Sequence, residues 1–96
     1  MRYTEIGDNM KIKSDFLIKQ IAGNHVVVPV RQRAVDFSGV IKLSETGAFL
    51  WEILADGAER DVLVERLLDE YAVDEATAAA DVDRFIEKLR EADLLE

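Results

Sequence analysis

Cysteine is absent from the 96-residue chain, and histidine, proline and tryptophan each occur once. The absence of cysteine excludes disulfides, thiolate nucleophiles and cysteine-ligated zinc. The single histidine, His25, is expected to be a surface or structural residue, because a metal site needs several such ligands. The five glycines stand far apart, so no phosphate-binding loop is present. The sequence therefore predicts no catalytic residue, no metal and no cofactor.

Long apolar runs are also missing. No stretch approaches the ~20 apolar residues of a membrane span. The N-terminus, residues 1–5, lacks the apolar segment of a signal peptide. These observations predict a cytoplasmic protein without membrane contact.

What the chain does contain is enough apolar material for one small domain. Hydrophobic residues make up 49% of the sequence, which favours folding over disorder. A chain of this length builds a single modest core. Residues 1–15 are polar and rich in turn formers, and we predict that they form a flexible N-terminal arm. Residues 16–96 are predicted to form the domain itself.

Three short runs of β-forming residues open that domain. Residues 16–21 and 25–28 predict two antiparallel strands joined by a Gly23-Asn24 turn. The third run, residues 37–43, predicts a strand with one solvated face and a free edge.

The apolar spacing then changes from two residues to 3.6. Ser44 is predicted to cap a first helix that ends at Gly57, with Trp51 in its core face. A second helix is predicted over 59–71, and Asp74 is predicted to cap a third that runs to Ala92. The core stripe of the third helix is predicted to contain Ala79, Val82, Ile86 and Leu89, with Phe85 beside it. Strands followed by helices predict an α+β, winged-helix-like domain, a three-stranded antiparallel sheet followed by a three-helix bundle.

Charge is distributed unevenly along the chain. Residues 1–43 carry seven Lys/Arg and four Asp/Glu, whereas residues 44–96 carry five and sixteen, for a net charge of −8. Two helices near strands are also typical of a winged-helix DNA-binding regulator. In such a regulator the N-terminal residues of the recognition helix meet the DNA, and here residues 74–81 hold three acids and no cation. This charge predicts no nucleic-acid partner.

The stretch from Leu43 to Leu95 resembles the PqqD family, whose namesake is the peptide chaperone of pyrroloquinoline quinone synthesis. The resemblance lies in ordered core positions rather than in one motif, and the hairpin residues 21–24 and 27–29 extend it. The matching residues are Leu43-Ser44-Glu45-Thr46-Gly47-Ala48-Phe49-Leu50-Trp51-Glu52-Ile53-Leu54, Asp56-Gly57, Leu63-Val64-Glu65-Arg66-Leu67-Leu68, Glu70-Tyr71, Asp81-Val82, Phe85-Ile86, Leu89 and Leu94-Leu95. The chain departs from the family at Ala58-Glu59, where a threonine cap is common, and at Ala92-Asp93, where a glycine is common.

The resemblance implies a non-catalytic recognition element for ribosomally made precursor peptides. In that family the leader of the precursor adds as a strand along the third strand and lies against the third helix. The domain presents the leader to a modifying enzyme, often a radical S-adenosylmethionine protein, which owns the cofactor. The resemblance does not single out pyrroloquinoline quinone as the product.

Transferred to this sequence, the resemblance predicts a peptide-binding site on two elements. An exposed strand edge supplies backbone donors and acceptors for β-strand addition. The strand would contribute Gly39, Val40, Ile41, Lys42 and Leu43. One flank of the third helix would contribute Ala78, Asp81, Phe85 and Lys88.

Two other functions remain open at this stage. One is the winged-helix DNA-binding regulator, and the other is a structural subunit that docks on a peptide-modifying enzyme without touching the peptide. A free strand edge also permits self-pairing, so we expect a monomer or a strand-exchanged dimer.

Overall fold

The structure is a computed structural model that describes residues 9–30 and 41–96. Its first part is an antiparallel sheet of strands β1 (Phe16–Ile21), β2 (Asn24–Pro29) and β3 (Ile41–Leu43), in the order β1-β2-β3. Residues 37–40 of the third predicted run lie outside the described residues. Three helices follow, α1 (Glu45–Ala55), α2 (Arg60–Glu70) and α3 (Glu75–Glu91). The α+β prediction, with a sheet followed by helices, is confirmed.

The β1–β2 hairpin closes one residue earlier than predicted. Ala22 and Gly23 form the two-residue turn, with φ of 53° and 82°, and Asn24 is already the first residue of β2. Two positive φ angles are characteristic of the type I′ turn, whose twist matches that of the flanking strands. The predicted Gly23-Asn24 turn was therefore wrong by one position, because Ala22 adopts the left-handed conformation without a glycine.

Local capping signals account for the limits of the helices. Ser44 Oγ accepts a hydrogen bond from the Gly47 amide at 3.0 Å, which fixes the start of α1. Gly57, with φ of 96°, follows the C-cap Asp56 and ends α1, as predicted. Asp74 Oδ1 accepts from the Thr77 amide at 2.7 Å at the start of α3, and this bond holds the pKa of Asp74 below its usual value. α2 begins after Glu59 without any side-chain cap.

The core lies between the inner face of the sheet and the three helices. Trp51 is only 3% exposed, so its predicted place in the core is confirmed. Each fully buried aliphatic side chain contributes roughly 1.5–3 kcal/mol through removal of apolar surface from water. The largest such side chains are Leu50, Leu54, Leu63, Leu67, Leu89, Leu94, Val27 and Val82.

The apolar stripe of α3 contains Val82, Ile86 and Leu89 as predicted, but it begins at Ala78 and not at Ala79. Ala78 is fully buried, whereas Ala79 is only partly buried. Ala78 lies four residues before Val82 and seven before Phe85, so all three share one face of the helix. The prediction of Ala79 was wrong because three alanines in succession, residues 78–80, give no local signal of which one faces inward.

The segment before β1 is bound to the helices. Ile12 is 4% exposed and pairs with Leu95, and Met10 pairs with Ala58 through backbone bonds of 2.8 and 2.9 Å. The predicted arm, residues 1–15, is therefore wrong for 10–13. Its backbone groups find partners far along the chain, which composition does not reveal. Residues 1–8 lie outside the described residues.

No helix within residues 9–30 and 41–96 combines the length and the apolar character needed to cross a bilayer.

Candidate functional site

The outer edge of β3 can be identified from the register of the sheet. The two-residue turn makes Ile21 and Asn24 the pair that closes the hairpin, with mutual backbone hydrogen bonds. Successive peptide groups of a strand point to alternate sides, so the even-numbered residues of β2 bond to β1. His25 and Val27 therefore turn their peptide groups towards β3.

The same alternation determines which residue of β3 faces outward. His25 pairs with Leu43 and Val27 pairs with Ile41, so those two residues of β3 bond to β2. Lys42 lies between them, and its N–H and C=O consequently point away from β2, along the outer edge. Within the described part of the sheet, β3 is a terminal strand. A strand added to it would therefore bond to the backbone of Lys42.

A side chain of α3 confirms this orientation of the peptide group. Lys88 Nζ donates a hydrogen bond of 2.9 Å to the backbone oxygen of Lys42. The approach of Lys88 agrees with a carbonyl that points away from β2, as the register requires. The bond from Lys88 therefore shows that the Lys42 carbonyl points outward and that α3 lies close to this edge.

A cleft of about 200 Å³ lies beside the edge, between β3, the first turn of α1 and one flank of α3. Three of its residues are apolar and buried, Leu43, Leu50 and Phe85. Their position in the core gives the cleft a rigid floor. The full lining consists of Leu43, Ser44, Thr46, Gly47, Leu50, Asp81, Arg84, Phe85 and Lys88.

Gly47 keeps the cleft open on the α1 side. A β-carbon at this position would lie 3.4 Å from Leu43 Cβ and 3.7 Å from Phe85 Cδ1. These are contact distances, so any side chain here would occupy part of the space between β3 and α3.

The rim of the cleft carries three charged side chains. Arg84 Nη1 lies 3.2 Å from Asp81 Oδ1, an ion pair across one turn of α3. Lys88 lies one turn further along the helix and is bonded to the strand. The two cations and one carboxylate give the rim a local excess of positive charge, in contrast to the net charge of −8 of the whole chain.

The structure brings together most of the sequence-predicted site residues that it describes. Leu43, Asp81, Phe85 and Lys88 line the cleft. Lys42 contributes its backbone at the edge, and Ile41 is half-buried and bonds to β2. Ala78 is fully buried and does not line the cleft. Gly39 and Val40 lie outside the described residues.

Sequence reasoning missed the contribution of α1 to the cleft. Ser44, Thr46, Gly47 and Leu50 belong to its cap and first turns, and Arg84 was also missed. A usable signal was present: the cap Ser44 directly follows Leu43, so the first turn of α1 has to lie beside the end of β3.

Two solved structures are similar to this chain. TbiB1 in complex with the TbiA(beta) leader peptide has 26% sequence identity and a TM-score of 0.70, over 90% of this chain and 94% of TbiB1. Lasso peptide synthetase B1 complexed with the leader peptide has 20% sequence identity and a TM-score of 0.70, over 91% of this chain and 96% of the synthetase chain. This second similarity concerns the fold alone.

A comparison with curated proteins gave no match. The profile of the family described as Coenzyme PQQ synthesis protein D (PqqD) matches residues 24–95, which include the hairpin, β3 and all three helices. This chain belongs to the PqqD family.

Proposed function

We propose that this chain binds the leader segment of a ribosomally made precursor peptide as an added strand along β3, with leader side chains in the cleft beside α3. The observation that carries the proposal is the outward-facing backbone of Lys42 next to an apolar cleft. Backbone bonds supply affinity in β-strand addition, and pockets for alternate side chains supply selectivity. The TbiB1 structure, which contains a leader peptide, supports the same assignment.

The proposed site consists of the edge and the cleft. Lys42 would bond to the leader backbone, and Leu43, Phe85 and Gly47 would contact one of its side chains. Asp81 and Lys88 would contact it at the rim. The predicted Gly39, Val40 and Ile41 remain part of the proposed strand.

The chain itself is proposed to act without catalysis, as a carrier that presents the leader to a modifying enzyme. That enzyme is a radical S-adenosylmethionine protein or another peptide-modifying enzyme, and it would hold any cofactor. Because the precursor is made on ribosomes, the cytoplasm is the compartment in which we expect the two to meet.

The DNA-binding alternative is disfavoured by the helix that would have to read bases. Asp74 and Glu75 stand at the N-terminus of α3, and this end of the helix has no cation until Arg84. Such a surface repels a phosphate backbone.

The proposal is tested by titrating the isotopically labelled chain with the leader peptide of a precursor encoded beside its gene. We expect the amide signals of Lys42 and Leu43, and those of residues 81–88, to shift in a saturable manner. Failure of these signals to move with any neighbouring leader would overturn the proposal.

Proline variants separate strand addition from other modes of binding. Lys42→Pro removes the outward N–H, so we expect the leader to bind at least about tenfold more weakly, a loss of roughly one or two net hydrogen bonds. Gln20→Pro is the matched control. The N–H and C=O of Gln20 point outward from β1, which is the strand at the other edge of the sheet. Ile41→Pro is less informative, since it removes a β2–β3 ladder bond. Equal binding by Lys42→Pro and the unaltered chain would exclude strand addition.

A further inference from the structure

The Lys88 side chain is hydrogen-bonded to the backbone oxygen of Lys42, which an added strand would use as an acceptor. Its ammonium donates to the Lys42 carbonyl at 2.9 Å, and the same carbonyl would accept the N–H of a leader strand paired with β3. The leader backbone and the Lys88 side chain would therefore bond to the same oxygen. A leader that adds to β3 would crowd the ammonium there and free it to turn to a group of the leader.

Within residues 9–30 and 41–96, the Lys88 ammonium has no ion-pair partner to hold it once it leaves the carbonyl. Asp81 is the acid of the cleft, and it is already paired with Arg84 at 3.2 Å. A carboxylate on the leader would fill this role, and the local positive charge of the rim favours it.

The pleat of the added strand determines where that carboxylate has to stand. The leader residue opposite Lys42 points to the outer face of the sheet, and its two neighbours point towards the helices. The neighbour on the Leu43 side faces the apolar part of the cleft, beside Phe85. Lys88 bonds to the Lys42 carbonyl, whereas Phe85 lies close to Gly47, beyond Leu43, so Lys88 is the nearer of the two to the neighbour on the Ile41 side.

We propose that Lys88 selects leaders that carry an aspartate or glutamate two positions from an apolar residue, with the apolar side chain in the cleft and the carboxylate on the Lys88 ammonium. This inference rests on the proposed function. It adds the class of leader that the site accepts and the role of Lys88. In the free chain the Lys88 ammonium bonds to the Lys42 carbonyl, and in the complex it bonds to the leader carboxylate.

The test is selection of strand-binding peptides from a random peptide library displayed on phage, with the full chain as bait. We expect enriched peptides to share an apolar residue and an acid two positions apart. Selection with Lys88→Glu should replace the acid by Lys or Arg at the same position. Arg90→Met is the matched control: it removes a cation from the same helix, outside the cleft, and should leave the preference unchanged.

An enriched peptide and its alanine variant at the acid then complete a double-mutant cycle with Lys88→Met. The acid-bearing peptide should bind Lys88→Met about two- to fivefold more weakly than the unaltered chain, the range expected for a partly solvated ion pair. The alanine variant should lose nothing, because Lys88→Met also frees the Lys42 carbonyl.

The outcomes distinguish the two proposals. Enriched peptides that bind at β3 but show no acid preference, or a preference that Lys88→Glu leaves unchanged, would overturn the role of Lys88 and leave the proposed function intact. Absence of any peptide that is sensitive to Lys42→Pro would overturn both.

Discussion

Arg60 at the start of α2 and Asp83 in the middle of α3 form a two-point ion pair. Arg60 Nε lies 2.6 Å from Asp83 Oδ1, and Nη2 lies 3.1 Å from Oδ2. The planar guanidinium suits such a two-bond contact with a carboxylate. The hydrogen bonds that Arg60 donates to Asp83 lower the pKa of Asp83 below its usual value and raise the pKa of Arg60. The pair joins α2 to the exposed side of α3, opposite the flank that borders β3.

Acidification should remove the contribution of this pair. The pKa of Asp83 is lower in the folded chain than its usual 3.8, so the stabilisation is complete above that value and is lost as the pH falls through the folded pKa. We expect Asp83→Asn to destabilise the chain at pH 7 and to have a smaller effect at pH 3, measured by urea unfolding. When Arg60→Met is already present, Asp83→Asn should change the free energy of unfolding by the same amount at pH 7 and at pH 3. An effect of Asp83→Asn that is equal at both pH values would contradict the assignment.

Ile12 should behave as a core residue although it precedes the sheet. Its side chain is 4% exposed, and the backbone around it bonds to Leu94 and Glu96. We expect Ile12→Ala to lower the free energy of unfolding by about 2–5 kcal/mol, as measured by urea denaturation. The exposed neighbour Lys11 is the control, and Lys11→Ala should change stability by less than about 0.5 kcal/mol. Equal midpoints for the two variants would show that this segment does not support the fold.

Gly47 should affect peptide binding and stability in opposite directions. Gly47→Ala places a methyl group at contact distance from Leu43 and Phe85 and narrows the cleft. We expect unchanged stability or a gain of up to about 1 kcal/mol, because alanine suits a helix better than glycine. Leader affinity should fall by about fivefold or more, since overpacking costs about 1–3 kcal/mol. Calorimetric titration and urea unfolding of one sample measure both quantities.

Gly57→Ala is the contrasting variant for that experiment. Gly57 has a φ of 96°, which an alanine adopts only with strain. We expect it to lower stability and to leave the affinity of the folded chain for the leader unchanged. A loss of affinity of equal size in both variants would show that the effect of Gly47→Ala is not specific to the cleft.

Local patterns were sufficient to predict much of the fold. Ser44 and Asp74 were predicted as helix caps, and both accept the amide bond that defines a cap. These interactions span three residues, so the sequence window that contains them also contains their cause. The core position of Trp51 followed in the same way from its apolar neighbours on α1.

Predictions failed where the partner lies far along the chain or where neighbours are alike. Ile12 stands in a polar segment, and only its pairing with Leu95 at the other end of the chain explains its burial. The choice between Ala78 and Ala79 depended on the rotation of α3 against the core. No local property of either residue distinguishes them.

The sequence by itself determined the α+β order of elements and the cap positions of α1 and α3. Periodicity and capping act over a few residues, so they can be recognised in the printed chain. Only the tertiary structure decided that the backbone of Lys42 faces outward, that Lys88 reaches it from 46 residues away, and that Gly47 opens the cleft between them. These features depend on strand register and on helix rotation, which are determined by the packing of the whole core.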